Sequence, residues 1–215
     1  MARRAAGKGR LVLLTGPSGV GKTTVCRRVV ESTRQSERRV AGLLSETSEV
    51  APGRIVQTVV SLRTGERRRL AERVGCSEGE PIAGGAAGRL SWRFDKDAVR
   101  WGRRELARCA VEETDLLVVD QLGPLELTIG SGWSNAVDAV TRTTAALAVV
   151  VVNPLVIEEL LDRPGFEVAV VIEVDKANRT ALPGRLLEGV GWKAGKGPPA
   201  TTEGALTTGR GHGTG

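Results

Sequence analysis

The feature that most constrains this chain is a nine-residue segment near its start, GPSGVGKTT, which spans residues 16–24. A short apolar run, residues 11–15, precedes it, and a segment of helix-forming composition follows to about residue 34. A strand, a glycine loop and a helix are the context in which a G-x-x-x-x-G-K-[ST] segment binds phosphate. The glycines let backbone N–H groups converge on phosphate oxygens, and the helix N-terminus adds a favourable dipole. The segment therefore predicts a phosphate-binding loop between strand and helix, and the matched flanks disfavour a chance glycine turn.

The loop residues have predicted roles in binding a nucleoside triphosphate. The Lys22 ammonium reaches the β- and γ-phosphates, the Thr23 hydroxyl is a ligand of Mg²⁺, and Thr24 lies near the α-phosphate. Lys22 is therefore a candidate catalytic residue, and Mg²⁺ is the expected cofactor. The other predicted nucleotide-binding residues of the loop precede the lysine: Gly16, Pro17, Ser18, Gly19, Val20 and Gly21.

A phosphate loop of this kind needs a carboxylate to complete the metal shell, and the end of a buried strand is where one is expected. The segment DLLVVD places four apolar residues directly before Asp120. Asp120 is thus the second predicted metal residue beside Thr23. The alternative is that Asp120 only caps a loop.

Continuous apolar runs rich in β-branched residues predict buried parallel strands, with helices on both faces of the sheet. Helical segments near residues 133–143 and 154–161 separate these strands, and Asp95 is a plausible N-cap for a helix that reaches about residue 113. The runs lie at residues 116–119, 148–152 and 168–174. The fold class predicted is therefore α/β.

A small antiparallel ribbon is predicted beside this sheet. Apolar runs occupy residues 40–44 and 55–62, and the turn at residues 63–66 carries glycine at its third position, which suits a hairpin. Residues 74–89 are rich in glycine and predict a loop, after which residues 90–94 return as a strand.

The formal net charge of +6 lies in the two ends of the chain, because residues 11–188 hold as many acidic as basic side chains. Within that body, residues 54–108 carry 13 basic and 7 acidic residues, whereas residues 109–175 carry 2 and 12. Two subregions of opposite charge are expected, and no basic groove. We therefore expect no specific nucleic-acid partner.

Cysteine and histidine content excludes other classes of site. Cys26, Cys76 and Cys109 stand far apart and His212 is the only histidine, which is too few ligands for zinc and favours buried thiols in a reducing compartment. The longest apolar stretch, residues 145–152, is too short to span a bilayer, so we expect a cytoplasmic protein with no membrane partner.

Three regions are predicted along the chain. Residues 1–10 form a basic N-terminal extension, residues 11–188 form the nucleotide-binding domain, and residues 189–215 form a disordered tail. The tail contains nine glycines, so it lacks the apolar residues needed to bury a core.

Five segments in chain order resemble the small P-loop nucleoside-triphosphatases of thermophiles, a family that includes a human cancer-related nucleoside-triphosphatase. After the phosphate loop, VAGLLSE is similar to the family's Gly-aromatic-x-Thr-x-Glu segment, and SLRTGERRRLA resembles its Ser-Gly-Glu hairpin. VVDQLGPLEL resembles its Asp-Glu-Ile-Gly-x-Met-Glu-Leu segment, and DKANRTALP its Asn-Arg-Asp-x-Leu-Pro segment. The resemblance covers about residues 11–188.

The resemblance implies a RecA-like P-loop NTPase fold, in which the strand that ends at the metal carboxylate is separated from the strand before the phosphate loop. It also implies Mg²⁺-dependent hydrolysis of ATP, GTP and other triphosphates. Asp120 matches the family's metal-shell carboxylate, and Glu126 matches its second Glu. Asn178 and Arg179 match its Asn-Arg pair, while Glu46 is a looser match.

Gln121 departs from the family pattern, because it stands where the family has the Glu that would act as general base on the attacking water. A carboxamide can orient water but cannot accept its proton. The catalytic candidates are therefore Lys22, Gln121 and Glu126, and turnover is expected to be slow or to depend on Glu126.

Several alternatives stay open on the sequence alone. A small nucleotide or nucleoside kinase shares the phosphate loop, and residues 54–108 would be its lid; a nucleotide-binding regulator without turnover is favoured by Gln121. Asn153 either senses the γ-phosphate or begins a turn into a helix with proline at its first position. Arginines that are candidates to aid phosphoryl transfer, or only solvated charges, are Arg67, Arg68, Arg69, Arg100, Arg103, Arg104 and Arg108. Tryptophans expected as core or rim anchors are Trp92, Trp101 and Trp133.

Overall fold

The computed structural model describes residues 9–74, 91–128, 130 and 132–193. The strands are β1 (Arg10–Thr15), β2 (Val40–Ala51), β3 (Arg54–Ser61), β4 (Arg67–Val74), β5 (Ser91–Phe94), β6 (Leu116–Leu122), β7 (Leu147–Val152) and β8 (Val170–Glu173). The helices are α1 (Lys22–Gln35), α2 (Lys96–Cys109), α3 (Pro124–Leu127), α4 (Ala136–Arg142), α5 (Ile157–Leu161) and α6 (Leu182–Glu188), and a short 3-10 helix spans Pro154–Val156.

The strands form one mixed sheet in the order β5-β4-β3-β2-β6-β7-β1-β8. From β2 to β8 along this order the neighbours are parallel. β7 is buried along its whole length, and β6 is buried at every position except Gln121. Their unbroken apolar runs therefore mark strands covered on both faces, as predicted. β7 lies between β6 and β1, which is the strand separation implied by the family resemblance.

Helices cover both faces of the sheet because successive residues of each strand point to opposite sides. Leu11 and Leu13 of β1 pack in one core with α2, α4 and α5. Val12 and Leu14 pack in the other core with α1 and α6. The predicted α/β class with helices on both faces is confirmed.

The antiparallel part is larger than the small ribbon predicted. β2 pairs with β6 only over residues 40–43, then continues and pairs with β3, after which β4 and β5 extend the same sheet. We call β3, β4 and β5 the antiparallel wing. The predicted turn at residues 63–66 joins β3 to β4, and Gly65 has a φ of 76° that favours glycine. The second half of β2 was missed because residues 46–51 are polar or exposed and show no apolar alternation.

Both predicted ends of the domain need correction. Arg10, assigned to the basic extension, begins β1 and pairs with Leu147. Trp192, assigned to the tail, is only 8% exposed and packs in the core with α1 and α6. The Arg38 guanidinium lies 4.5 Å from its ring centroid, so the folded part reaches past residue 188. Residues 1–8 and 194–215, and nearly all of the loop predicted at residues 74–89, lie outside the described residues.

Two smaller expectations concern thiols and membranes. Cys26 and Cys109 are free and buried, as predicted for thiols in a core, while Cys76 lies outside the described residues. Within the part of the chain that the structure describes, no helix has both the length and the apolar character that a membrane crossing requires.

Candidate active site

The phosphate loop joins β1 to α1 and forms one wall of a cavity of about 770 Å³, here called the phosphate cavity. Gly16 has a φ of 123°, and a Cβ built there would lie 2.7 Å from the Val174 carbonyl oxygen, so only glycine fits. The loop residues that line the cavity are Gly16, Ser18, Gly19, Gly21, Lys22, Thr23 and Thr24. Pro17 and Val20 belong to the same loop, although their side chains do not line the cavity.

Lys22 begins α1, and its side chain returns over the loop. The Nζ atom donates hydrogen bonds to the carbonyl oxygens of Gly16 and Pro17, each at 2.7 Å. Burial lowers the pKa of Lys22 from its ordinary value, and the nearby Asp120 carboxylate partly opposes this. The ammonium therefore lies within the loop that is predicted to receive the phosphates.

Thr23, which lines the phosphate cavity, contacts the buried Asp120, although 97 residues separate them in the chain. The Thr23 Oγ1 hydroxyl donates a hydrogen bond to Asp120 Oδ2 at 2.8 Å, and the Ser45 backbone N–H points to the same oxygen at 3.4 Å. Asp120 is 1% exposed, and burial raises its pKa to about 6 against the opposing effects of these hydrogen bonds and of Lys22.

The Thr23 and Asp120 pair fits a magnesium site in chemistry. Mg²⁺ prefers oxygen ligands, and nucleotide sites hold it with one or two protein groups, the phosphates and water. Nowhere in the described ranges do three or more His, Cys, Asp or Glu side chains form a cluster able to hold a metal alone. Any metal at Thr23 and Asp120 would accordingly share its shell with the bound nucleotide.

Gln121 follows Asp120 and is exposed at the edge of the phosphate cavity. Asn153, at the end of β7, lines the same cavity. Its Oδ1 accepts a hydrogen bond from the Leu155 N–H at 2.9 Å, and Pro154 takes the first helical position. The structure agrees with the plainer interpretation of Asn153, a turn into a helix, although the residue also lines the phosphate cavity.

Glu126 lies in a second cavity of about 490 Å³, which we call the aromatic cavity because Trp92, Phe94 and Trp133 line it. The Glu126 carboxylate accepts a hydrogen bond from the Gly123 N–H at 2.9 Å and closes the first turn of α3. Burial raises the pKa of Glu126 above its ordinary value, and hydrogen bonds from backbone N–H groups only partly oppose this rise. Glu126 does not line the phosphate cavity, so its part in hydrolysis stays a prediction.

The three tryptophans predicted to be anchors occupy core or rim positions. Trp101 and Trp133 are buried in the core that includes α2 and α4, whereas Trp92 is 38% exposed at the wall of the aromatic cavity.

Arg67 is the one candidate arginine that lines the phosphate cavity. It forms an ion pair with Glu46, and Glu46 also contacts Arg27 at 3.4 Å. Glu46, the looser family match, thus holds two arginines at the rim. Most other candidate arginines contact partners elsewhere: Arg68 with Glu66, Arg69 with Glu72, Arg100 with Asp97, Arg103 with the Gly132 carbonyl and Arg108 with Glu105.

Several cavity residues were missed by the sequence analysis. Arg27 lies four residues after Thr23 on α1, so helical spacing from the loop could have found it. The opposite wall comes from polar residues of β2 and β3, which form no motif: Ser45, Thr47, Ser48 and Thr58.

Neither Asn178 nor Arg179 lines the phosphate cavity. Asn178 Nδ2 donates to the Glu173 carbonyl oxygen at 2.8 Å and holds the turn after β8. Arg179 Nη1 donates to the Val20 carbonyl oxygen at 3.2 Å, which places its side chain against the phosphate loop. Nucleotide binding by this pair stays a prediction.

Comparisons with known proteins agree with this geometry. A family model described as NTPase matches residues 11–187. The chain is 34% identical over 187 residues to "Nucleoside-triphosphatase THEP1" of Methanopyrus kandleri, which covers 83% of this chain and 94% of that protein. A protein of the same name from Thermococcus kodakarensis is 31% identical over 140 residues, or 65% of this chain and 74% of that protein.

Solved structures show the same relationship. The solution structure of a human cancer-related nucleoside triphosphatase matches with a TM-score of 0.62 and 25% identity, covering 85% of this chain and 98% of that one. The crystal structure of THEP1 from the hyperthermophile Aquifex aeolicus matches with a TM-score of 0.55 and 18% identity, covering 84% and 98%, which supports the fold. The chain therefore belongs to the NTPase family that its five segments resemble.

Proposed function

We propose that this protein hydrolyses ATP, GTP and other nucleoside triphosphates to the diphosphate and phosphate, with Mg²⁺ as cofactor. The hydrogen bond between Thr23 and Asp120 at 2.8 Å carries this proposal. It joins the phosphate loop to the end of β6 at the point where a triphosphate and its metal meet in P-loop enzymes. Relatives that are named nucleoside-triphosphatases support the same reaction.

The loop binds and orients the phosphates. Its backbone N–H groups and the start of α1 attract anionic oxygens, and the Lys22 ammonium moves from the loop carbonyls to the β- and γ-phosphates. Thr23 and Asp120 would hold the metal. When bound there, Mg²⁺ neutralises charge on the β- and γ-phosphate oxygens. Arg67, at the rim, adds positive charge near the same phosphates.

Gln121 holds the attacking water and sets a slow rate. Its amide can orient water toward the γ-phosphorus, but it cannot accept a proton from that water. The water proton therefore passes to a phosphate oxygen late in the reaction step. Sites that depend on a glutamine in this way turn over at rates on the order of 10⁻⁴ to 10⁻³ s⁻¹ without outside help. We expect a similar intrinsic rate here.

Phosphate release from ATP, GTP, CTP and UTP, measured with Mg²⁺ and with EDTA, tests the proposal, together with nucleotide affinity on the same protein. We expect slow, Mg²⁺-dependent release with little preference for the base. Tight binding without release would support the regulator instead, and absence of both would overturn the assignment of the phosphate loop.

A further inference from the structure

We propose that the aromatic cavity binds a neutral or cationic alcohol that carries a planar ring, and that the protein transfers the γ-phosphoryl group to its hydroxyl. This inference rests on the proposed function, because the triphosphate bound in the phosphate cavity is the donor. The position, the lining and the charge of the aromatic cavity each support it.

The aromatic cavity opens onto the γ-phosphate end of the phosphate cavity. The two cavities share residues from the loop, from the middle of β2 and from the ends of β6 and β7: Ser18, Ser45, Thr47, Gln121 and Asn153. Gln121 stands next to the metal carboxylate Asp120, which is the end of the site where the γ-phosphate lies. An attacking group must stand beyond that phosphate, in line with the bond that breaks. The aromatic cavity therefore begins where an acceptor hydroxyl is needed.

The lining of the aromatic cavity suits a planar ring. Trp92 and Phe94 lie two residues apart and therefore on the same face of β5, and they are 38% and 41% exposed although both are large and apolar. Leu70, Val99 and Trp133 complete an apolar wall. Exposed aromatic side chains in a concave site with a few convergent polar groups are typical of small-molecule binding.

The described lining residues of the aromatic cavity offer no positive charge to an anion. Among its described lining residues there is no lysine or arginine, and Glu126 is the acidic one. Arg93 lies between Trp92 and Phe94, so it points to the other face of β5, where it contacts Glu72 at 3.6 Å. A nucleoside monophosphate would bring negative charge to a site that has no described cation to receive it. The favoured acceptor is therefore uncharged or positive.

The transfer step balances without a further reactant. The acceptor hydroxyl oxygen forms a bond to the γ-phosphorus while the bond from that phosphorus to the β–γ bridging oxygen breaks. The electron pair leaves on the bridging oxygen of the diphosphate, and the hydroxyl proton passes to an oxygen of the transferred phosphoryl group. Gln121 orients the hydroxyl as it would orient water.

Radiolabelled ATP tests this with the full chain and Mg²⁺, using uridine, adenosine and benzyl alcohol as neutral probes and UMP and AMP as matched anions. We expect phosphorylation of at least one neutral probe, at least ten times faster than of the monophosphates. Phosphate release from ATP without transfer to any neutral probe, or a preference for the monophosphates, would overturn the acceptor site. Loss of both ATP binding and phosphate release would overturn the proposed function itself.

Cavity-filling variants make the test specific to this site. Val99 lies on α2 in the wall of the aromatic cavity, and Val99→Phe is expected to lower the ratio of transfer to phosphate release about tenfold. The control is Val111→Phe, at a position 71% exposed, which should leave the ratio unchanged. If Val99→Phe does not fold, Trp92→Ala should lower the same ratio about tenfold, because stacking of a ring on an aromatic side chain is worth about 1 to 3 kcal/mol. An unchanged ratio in a folded variant would contradict the proposal.

Discussion

The parallel part of the sheet and the antiparallel wing each bury an acidic side chain on a strand, and they treat it in opposite ways. Asp120 of β6 is 1% exposed, and this burial raises its pKa to about 6 although hydrogen bonds from Thr23 and Ser45 lower it. Glu72 of β4 is 8% exposed and lies among Arg54, Arg69 and Arg93, so the hydrogen bond from Arg54 lowers its pKa.

The difference separates the roles of the two regions. In the wing, Glu72 already pairs with Arg54, Arg69 and Arg93, so its negative charge is largely neutralised by its own neighbours. In the parallel part, Lys22 and Arg27 lower the pKa of Asp120, but burial raises it by more. A buried carboxylate whose pKa is raised in this way is typical of a functional site, and it fits the proposed binding of a metal and a nucleotide there.

The largest effect is expected where the parallel part binds phosphate. Lys22→Ala should reduce triphosphate binding and turnover to background, because removing one member of a buried charge pair costs about 2 to 5 kcal/mol. Calorimetric affinity and phosphate release measure this, with Lys96→Ala, an exposed position of α2, as the control. Unchanged affinity in folded Lys22→Ala would break the assignment of the phosphate site to the parallel part.

The next effect concerns the end of β6. Gln121→Glu supplies the carboxylate that the resembled family carries, and a positioned general base raises a rate by about 10² to 10⁴. We expect faster hydrolysis in single-turnover measurements and little change in nucleotide affinity. The control is Gln35→Glu, an exposed position at the end of α1. A fast wild-type enzyme that Gln121→Glu does not improve would mean that the base lies elsewhere, and Glu126 would be the next residue to change.

The stability of the nucleotide-free protein should depend on pH in opposite ways at the two acids. The pKa of Asp120 in the folded state, about 6, lies above its ordinary value of 3.8. The free energy of unfolding therefore falls by on the order of 1 to 3 kcal/mol as the pH rises from about 4 to about 6, because Asp120 ionises in the unfolded chain before it ionises in the folded protein. The pKa of Glu72 is lowered in the folded state, so its contribution is present above its ordinary pKa and is lost as the pH falls through the folded value.

Melting temperatures of two variants across pH 3 to 7 measure this contrast. Asp120→Asn should be more stable than the wild type near pH 7 and lose that advantage as the pH falls toward 4. Glu72→Gln should be less stable than the wild type near pH 7 and approach it in acid. Variants with the same pH profile would show that the two acids do not differ in the way the structure indicates.

The smallest effect separates two arginines of the wing itself. Arg67 lines the phosphate cavity, whereas Arg69, two residues later on β4, contacts Glu72. Arg67→Ala should weaken nucleotide affinity about two- to fivefold at low salt, because an exposed charge contact is worth up to about 1 kcal/mol. Arg69→Ala should leave the affinity unchanged. If both variants lose the same nucleotide affinity at low salt, and added salt removes the loss, then only the overall charge of the wing affects binding.

The sequence predicted the strands, the loop and the helix around the site where a local pattern of glycines or apolar residues marked each of them. The phosphate loop and the β6 run ending at Asp120 were recognised because glycine spacing and a buried apolar run are local signals. Ser45 and Thr58 were missed because each is an ordinary polar residue whose importance comes from its neighbours in space, whereas helical spacing from Thr23 could have found Arg27. The seven candidate arginines looked alike in the sequence, yet Arg67 alone among them lines the phosphate cavity.

The sequence by itself determined the α/β class, the phosphate loop and the carboxylate at the end of β6, since backbone conformation and burial leave periodic traces in neighbouring residues. Only the tertiary structure decided that Thr23 and Asp120 touch, that Glu46 holds Arg67, and that Gln121 stands between two cavities. These relations depend on the order in which strands join the sheet. That order arises from long-range packing and hydrogen bonding, so the periodicity of a single stretch does not show it, and the family resemblance implied only the separation of β6 from β1.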